Sequence, residues 1–212
     1  MLPLLSALLA GHGGLDAWRD IGEIRWEVEI TKFSEDGTAA DPVLWKVKFP
    51  TSGRAFYKGT LGGMEASYDH GEVVASDADL ARYLLPTFNY IHSLPFKLAD
   101  NGVRAEVPAE SPCREGDRAL KITFDPGIGD NPLDWYTYCV DGSDRMTSVL
   151  FHETHERNPG TFWLDFEGFE PVHDVWLPTA LTYWATDDNQ GRARKLKRVQ
   201  VISVMQRPAM NR

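Results

Sequence analysis

Only two of the 212 residues are cysteine, Cys113 and Cys139, and no C-x-x-C spacing occurs. A cysteine-rich zinc site and thioredoxin-type chemistry therefore lose their usual support. Cys139 sits late in a strand pattern, and Cys113 lies in a Pro- and Glu-rich turn ahead of a neighbouring strand. That spacing leaves both a disulfide and two free thiols open. Basic residues are also scarce, 22 against 31 acids, for a formal net charge of −9. A phosphate backbone or an anionic bilayer surface would be repelled as a general partner. No apolar run approaches the ~18–20 residues that cross a bilayer as a helix. The G-x-S-x-G elbow, the P-loop and the G-x-G-x-x-G fingerprint are missing too, so hydrolase, kinase and dinucleotide readings have no anchor.

What is present is mainly two-residue alternation. In Ile24-Arg-Trp-Glu-Val-Glu-Ile30 the even positions are apolar and the odd ones charged, the pattern of a half-buried strand. Val43, Trp45, Val47 and Phe49 repeat it. Short strands are expected around Arg54–Lys58, Met64–Tyr68 and Glu72–Ala75. Longer ones are expected at Gly102–Val107, Ala119–Phe124, Trp135–Val140, Met146–His152, Thr161–Phe169, Val175–Trp184 and Lys195–Val204. Turns such as Asp-Pro-Gly, Asn-Pro-Gly and Asp-Asp-Asn-Gln-Gly separate them.

Two stretches break the alternation. The opening Met1-Leu-Pro-Leu-Leu-Ser-Ala-Leu-Leu-Ala-Gly has no Lys or Arg ahead of its apolar run, unlike a secretory leader. Leu4, Leu8, Leu15 and Trp18 share a stripe, which favours a core-facing helix interrupted at Gly13-Gly14. The leader of an exported protein would then lie outside this chain. The second stretch starts at Ser76-Asp-Ala-Asp, where Ser76 or Asp77 can cap a helix. Leu80, Tyr83, Leu84, Phe88, Ile91 and Leu94 follow at helical steps, with Pro86 expected to split the stretch. Being apolar around much of its circumference, this helix needs cover on more than one side. A curved sheet wrapped around it would supply that cover. With no internal repeat or long linker, strands before and after the helix are expected to join one sheet in one domain, residues 1–212.

Few residues suggest chemistry. His152-Glu-Thr-His155-Glu resembles the zinc-protease pattern, but its histidines are three apart and on a strand would point to opposite faces. Gly11-His12-Gly13-Gly14 is glycine-rich, yet it follows no strand and lacks a Lys-Ser/Thr pair. Asp187-Asp188 fits a turn. Arg192, Arg194, Lys195, Lys197 and Arg198 read as the solvated face of a strand. The prominent feature is bulk on alternating positions: Trp26, Trp45, Phe49, Tyr68, Phe124, Phe162, Phe166 and Tyr183. A filled core and a ligand cavity need the same pattern, so periodicity leaves both open.

Three local patterns carry a family resemblance. His12-Gly-Gly-Leu-Asp-Ala-Trp18, followed by Ile21 and a first strand, is similar to the opening of exported bacterial proteins of the outer-membrane lipoprotein-sorting, or LolA/LolB-like, superfamily. Tyr90-Ile-His-Ser-Leu-Pro-Phe-Lys-Leu-Ala-Asp100 resembles the segment closing their central helical part. Val172-His-Asp-Val-Trp-Leu-Pro-Thr179 resembles their late strand. Order and spacing match over nearly the whole chain, which is nearest to an uncharacterised branch and has no N-terminal lipid-attachment cysteine.

The resemblance implies a mainly β (α+β) fold, a strongly curved antiparallel sheet or incomplete barrel cupping an N-terminal helix and a central helical segment. It implies a periplasmic or otherwise extracytoplasmic protein that binds a lipid, or the acyl chain of a lipoprotein, without a cofactor. Burial of apolar area at ~25 cal/mol per Å² would give even one acyl chain useful affinity. The residues expected to line the cavity are Trp26, Val28, Trp45, Val47, Tyr68, Leu84, Phe88, Phe124, Phe166 and Tyr183. Two alternatives stand beside this reading. An enzyme acting on a small apolar substrate in the same cup would need His92 or His152 buried beside an acid. An interaction module for another envelope protein would use an exposed sheet edge or the Arg192–Arg198 face, and charge reversal at Lys195 and Lys197 should then abolish partner capture. No nucleic-acid partner, transmembrane segment or metal site is expected.

Overall fold

The computed structural model describes residues 2–51, 56–128 and 133–207. In β1 (Glu23–Lys32) the alternation of the sequence becomes alternation of burial. Ile24, Trp26, Val28 and Ile30 are buried, and the residues between them are partly or fully exposed. β2 (Val43–Pro50) follows the same rule at Val47 and Phe49, but its first turn-proximal residues, Val43 and Leu44, face solvent. β3 (Phe56–Leu61), β4 (Met64–Asp69) and β5 (Glu72–Ala75) continue outward as hairpins. The expected strand at Arg54–Lys58 falls partly on 52–55, outside the described residues; β3 starts at Phe56.

After the helical segment come β6 (Val103–Glu106), β7 (Arg118–Phe124), β8 (Trp135–Val140), β9 (Met146–Glu153), β10 (Gly160–Val172), β11 (Val175–Thr186) and β12 (Arg192–Arg207). Among the described residues all twelve strands form one antiparallel sheet in the order β5-β4-β3-β2-β1-β12-β11-β10-β9-β8-β7-β6. The last strand lies mid-sheet beside the first, with Trp26 opposite Val204 and Ile30 opposite Val199. The two halves of the chain are thereby joined in one ladder. Register shifts interrupt the β1–β12 pairing at Glu27/Val28 and the β11–β12 pairing at Tyr183/Trp184 and Ala185/Thr186. Such bulges bend a sheet and strengthen its twist. The ends, β5 and β6, do not pair with each other, so the sheet is curved but unclosed.

The central helix α3 (Ala78–His92) explains the curvature. Asp77 caps it, its carboxylate accepting the Leu80 N–H at 2.9 Å. Pro86 was expected to split this stretch, but the helix is continuous. A proline forfeits one backbone bond and crowds the preceding turn. Burial of Ala81, Leu85, Phe88, Asn89, Ile91 and His92 offsets that loss. One side of α3 meets Trp45 of β2 through Phe88 and Trp26 of β1 through His92. The other meets Phe124 of β7 and Tyr136 and Tyr138 of β8 through Tyr90. Strands from both wings of one sheet therefore touch one helix.

The N-terminal segment is two helices, α1 (Pro3–Gly11) and α2 (Leu15–Asp20), broken at the glycines as the sequence suggests. Leu5, Leu8 and Leu9 of α1 and Trp18 of α2 are buried, with Trp18 stacked 4.6 Å from Phe96. Leu4 and Leu15, placed on the same stripe by the sequence, are only half-buried. On the sheet's opposite, outer face a smaller cluster forms from Cys139, Leu150 and Trp163, with Trp135 and Trp184 against it. Cys113 and Cys139 are joined in a disulfide, their Cα atoms 5.4 Å apart. The bond ties the segment ahead of β7 onto that outer face.

Candidate functional site

The interior of the sheet is where the cavity-lining residues were expected. Trp26, Val28, Val47, Phe88, Phe166 and Tyr183 are buried members of the main core cluster. Trp45, Tyr68, Leu84 and Phe124 are partly buried and pack against it. All ten thus belong to one apolar core or pack against it. They divide into a covered floor and a half-covered margin beside α3. Two surface hollows lie elsewhere. One of about 820 Å³ sits on the outer face, between Pro108–Pro112 and the Asn189–Arg192 turn, over Trp135, Leu150 and Trp163. The other, about 530 Å³, lies between α1 and the start of β7. Neither is lined by any of the ten.

Polar groups inside the sheet are few. His92 is buried against Trp26 and Phe88, and its Nδ1 lies 2.9 Å from the Phe88 carbonyl oxygen. Burial pushes its pKa down to about 3, against a smaller upward pull from that carbonyl. Tyr90 and Tyr138 share a hydroxyl–hydroxyl bond of 3.2 Å, and burial raises both phenol pKa values. On α3, Tyr83 lies near Glu153 and against His155. Glu153 also accepts from Asn158 at 2.8 Å.

Lys197 belongs to this interior, which its sequence context did not suggest. The period of two placed the basic run of β12 on one solvated face. The register shift at Tyr183/Trp184 breaks that period. Lys197 consequently lies inward, its Nζ 3.9 Å from the centre of the Tyr183 ring, and burial lowers its pKa to about 8. Lys195 stands on the outer face over Trp184 and Phe33. Arg192 pairs with Asp165 and Arg198 with Glu167. The common basic face required by an interaction module using Lys195 and Lys197 is not formed.

The histidine pair resolves in the same geometric way. His152 ends β9, stacked on Trp135, with Nδ1 3.0 Å from the Thr161 hydroxyl. His155 lies in the following turn beside Tyr83. Among the described residues, no group of three or more metal-ligating side chains gathers there or elsewhere. The hydrogen-bonding partners of His92 and His152 are a carbonyl and a hydroxyl, so neither forms the base–acid pair that catalysis would use.

His12, in the glycine-rich string, has a role that local sequence could not reveal. Nδ1 lies 3.0 Å from the Trp176 carbonyl, and Nε2 accepts the Met146 N–H at 3.2 Å. Burial lowers its pKa to about 4. A Cβ at Gly11 would strike the Asp144 carbonyl, and one at Gly13 the Asp174 carbonyl. The string is a clasp slid between two hairpins.

No family model and no curated protein matches the sequence. Solved structures do match. A LolA superfamily protein from Nitrosomonas europaea superposes with a TM-score of 0.53 at 10% identity, covering 95% of this chain and 92% of that one. The fold is LolA-like. An outer-membrane lipoprotein-sorting protein domain from Vibrio parahaemolyticus gives 0.50 at 10% identity, over 93% of this chain and 91% of its own. A DUF1329 family protein from Desulfovibrio piger also gives 0.50 at 10% identity, over 96% and 91%. In this LolA-like sheet, as in the sequence reading, an incomplete barrel holds its helices inside. No described helix is long and apolar enough to cross a membrane.

Proposed function

We propose that the chain acts as one carrier-like unit that binds an apolar ligand, such as a lipid or the acyl chain of a lipoprotein, between α3 and the inner face of the sheet. The observation that carries this reading is the half-covered margin of Trp45, Tyr68, Leu84 and Phe124, continuous with the buried floor beneath α3. A contiguous apolar surface with few polar groups is what apolar guests require of a site. The LolA-like fold supports the same reading, and the name of the Vibrio domain supplies the cargo class by analogy.

An extracytoplasmic location goes with this proposal. Disulfides persist in oxidising compartments and are rare in the cytosol. The Cys113–Cys139 bond fits the former.

The test is native mass spectrometry of the gently purified chain, followed by titration of the lipid-extracted protein with a fluorescent fatty-acid probe. The expected results are an adduct removed by organic extraction, and saturable probe binding. Leu84→Arg should weaken the probe by about tenfold or more, because a charge would then meet the ligand's apolar surface. A chain that carries no adduct and binds no probe would dispose of the proposal.

A further inference from the structure

Three rings meet where the last turn of α3 crosses β1. His92 and Trp26 stand edge to face with centroids 5.0 Å apart, and Phe88 stacks on His92 at 3.7 Å. His92 is 3% exposed and Trp26 1%. The His92 Nδ1 faces the Phe88 carbonyl, which can only accept, so Nδ1 carries the ring proton. The other nitrogen, Nε2, therefore presents a lone pair. The Trp26 Nε1–H can only donate. Neither Nε2 nor Nε1 has a hydrogen-bond partner among the described residues. An unmet donor and an unmet acceptor on neighbouring buried rings are costly to leave so. Phenylalanine at either position would carry no unmet polar atom, so ring packing alone does not account for the pair.

We propose that Trp26 and His92 recognise the hydroxyl group of an apolar ligand, a long-chain alcohol or a glyceride with a free hydroxyl. This rests on the apolar-ligand reading above and adds the polar end group that the site selects. The oxygen accepts from Nε1–H of Trp26 and its proton is donated to Nε2 of His92. No bond other than these hydrogen bonds forms. An ether oxygen could satisfy Trp26 but has no proton for His92. An ionised carboxylate would set its charge against the lone pair of Nε2. Burial and the nearby charge of Lys197 both favour the neutral ring, which keeps Nε2 an acceptor at neutral pH. A ligand reaching the pair would have to part the packed rings beside it. Half-buried Trp45 lies 6.2 Å from Phe88, and Phe88 lies on His92.

The experiment is displacement of an apolar fluorescent probe from the lipid-extracted full chain. The competitors are a long-chain alcohol, its methyl ether, the carboxylate of equal length and a monoacylglycerol. The alcohol or the monoacylglycerol should displace the probe at about one-tenth the concentration of the ether, equivalent to about 1.4 kcal/mol. Which of the two is better identifies the source of the hydroxyl. In Trp26→Phe and in His92→Phe the alcohol-to-ether ratio should fall toward one, a readout that cancels any general loss of affinity. In the unmodified chain, the Trp26 indole proton resonance should move when the alcohol is added and stay when the ether is. Equal displacement by alcohol and ether, or a preference that survives both substitutions, would overturn hydroxyl recognition while leaving the apolar site intact. Absence of any probe binding would overturn both.

Discussion

At His12 one imidazole ring uses both nitrogens on backbone groups of two different strands, the Trp176 carbonyl and the Met146 N–H. That arrangement exists only for the neutral ring, because a second ring proton would face the Met146 N–H. Burial accordingly lowers the folded pKa from 6.5 to about 4. Between those values the unfolded chain takes up a proton that the folded chain refuses, so stability falls as pH drops through this window. At ~1.36 kcal/mol per pKa unit the loss is bounded at about 3 kcal/mol. Urea midpoints measured from pH 7 to pH 4 should fall less steeply in His12→Asn than in the parent chain. The neighbouring glycines separate two penalties. Gly13→Ala meets both a positive φ of 103° and the Asp174 carbonyl, whereas Gly14→Ala meets only a φ of 90° with open space around it. Thermal denaturation should show the first substitution costing about 3 kcal/mol and the second about 1. None of this was legible in the string Gly11–Gly14, because both partners of His12 lie more than 130 positions away. The pair of Trp26 and His92 was half legible. Trp26 was placed inside by strand alternation, but His92 was raised only as a histidine whose burial beside an acid would favour an enzyme, and the meeting of the two depends on how α3 crosses β1.

Among the elements, the strands were the most readable, since alternation directly marks which side of a half-buried strand is covered. α3 was readable by its spacing, and its all-round apolarity foretold cover on two sides. Pro86 misled because a local helix rule was overridden by burial on both flanks. The basic run of β12 misled because a single inserted residue reverses the faces beyond it. Leu85 is fully buried on the inward side of α3. Leu85→Ala should therefore cost about 2–5 kcal/mol by chemical denaturation. The Cys113–Cys139 bond closes a loop of sequence separation 26. Removing it as the double serine variant should cost about 3–4 kcal/mol by the chain-entropy relation. Denaturation with and without reductant checks this, and the double variant should not respond to the reductant. Pairing stayed open in the sequence because only the sheet's register brings Cys113 beside β8.

Taken whole, the molecule is a single ladder whose first and last strands are neighbours, an order no local pattern encodes. One sheet spanning both halves was nonetheless inferable, since no linker separates them and the central helix needed cover from more than one direction. A guest that binds only the folded chain raises its stability by mass action, by about 2.7 kcal/mol at a hundredfold excess over Kd. Melting temperature should rise progressively with an added apolar ligand and stay flat with a short polar analogue of it.

In a closed barrel, strand number and stagger dictate the bore. Here β5 and β6, each only four residues long, end the ladder without meeting. The gap between them works like the open ends of a C-shaped spring. On the carrier reading proposed above, its arms would splay or draw in to suit slim or bulky cargo, with every rung between neighbouring strands still in place.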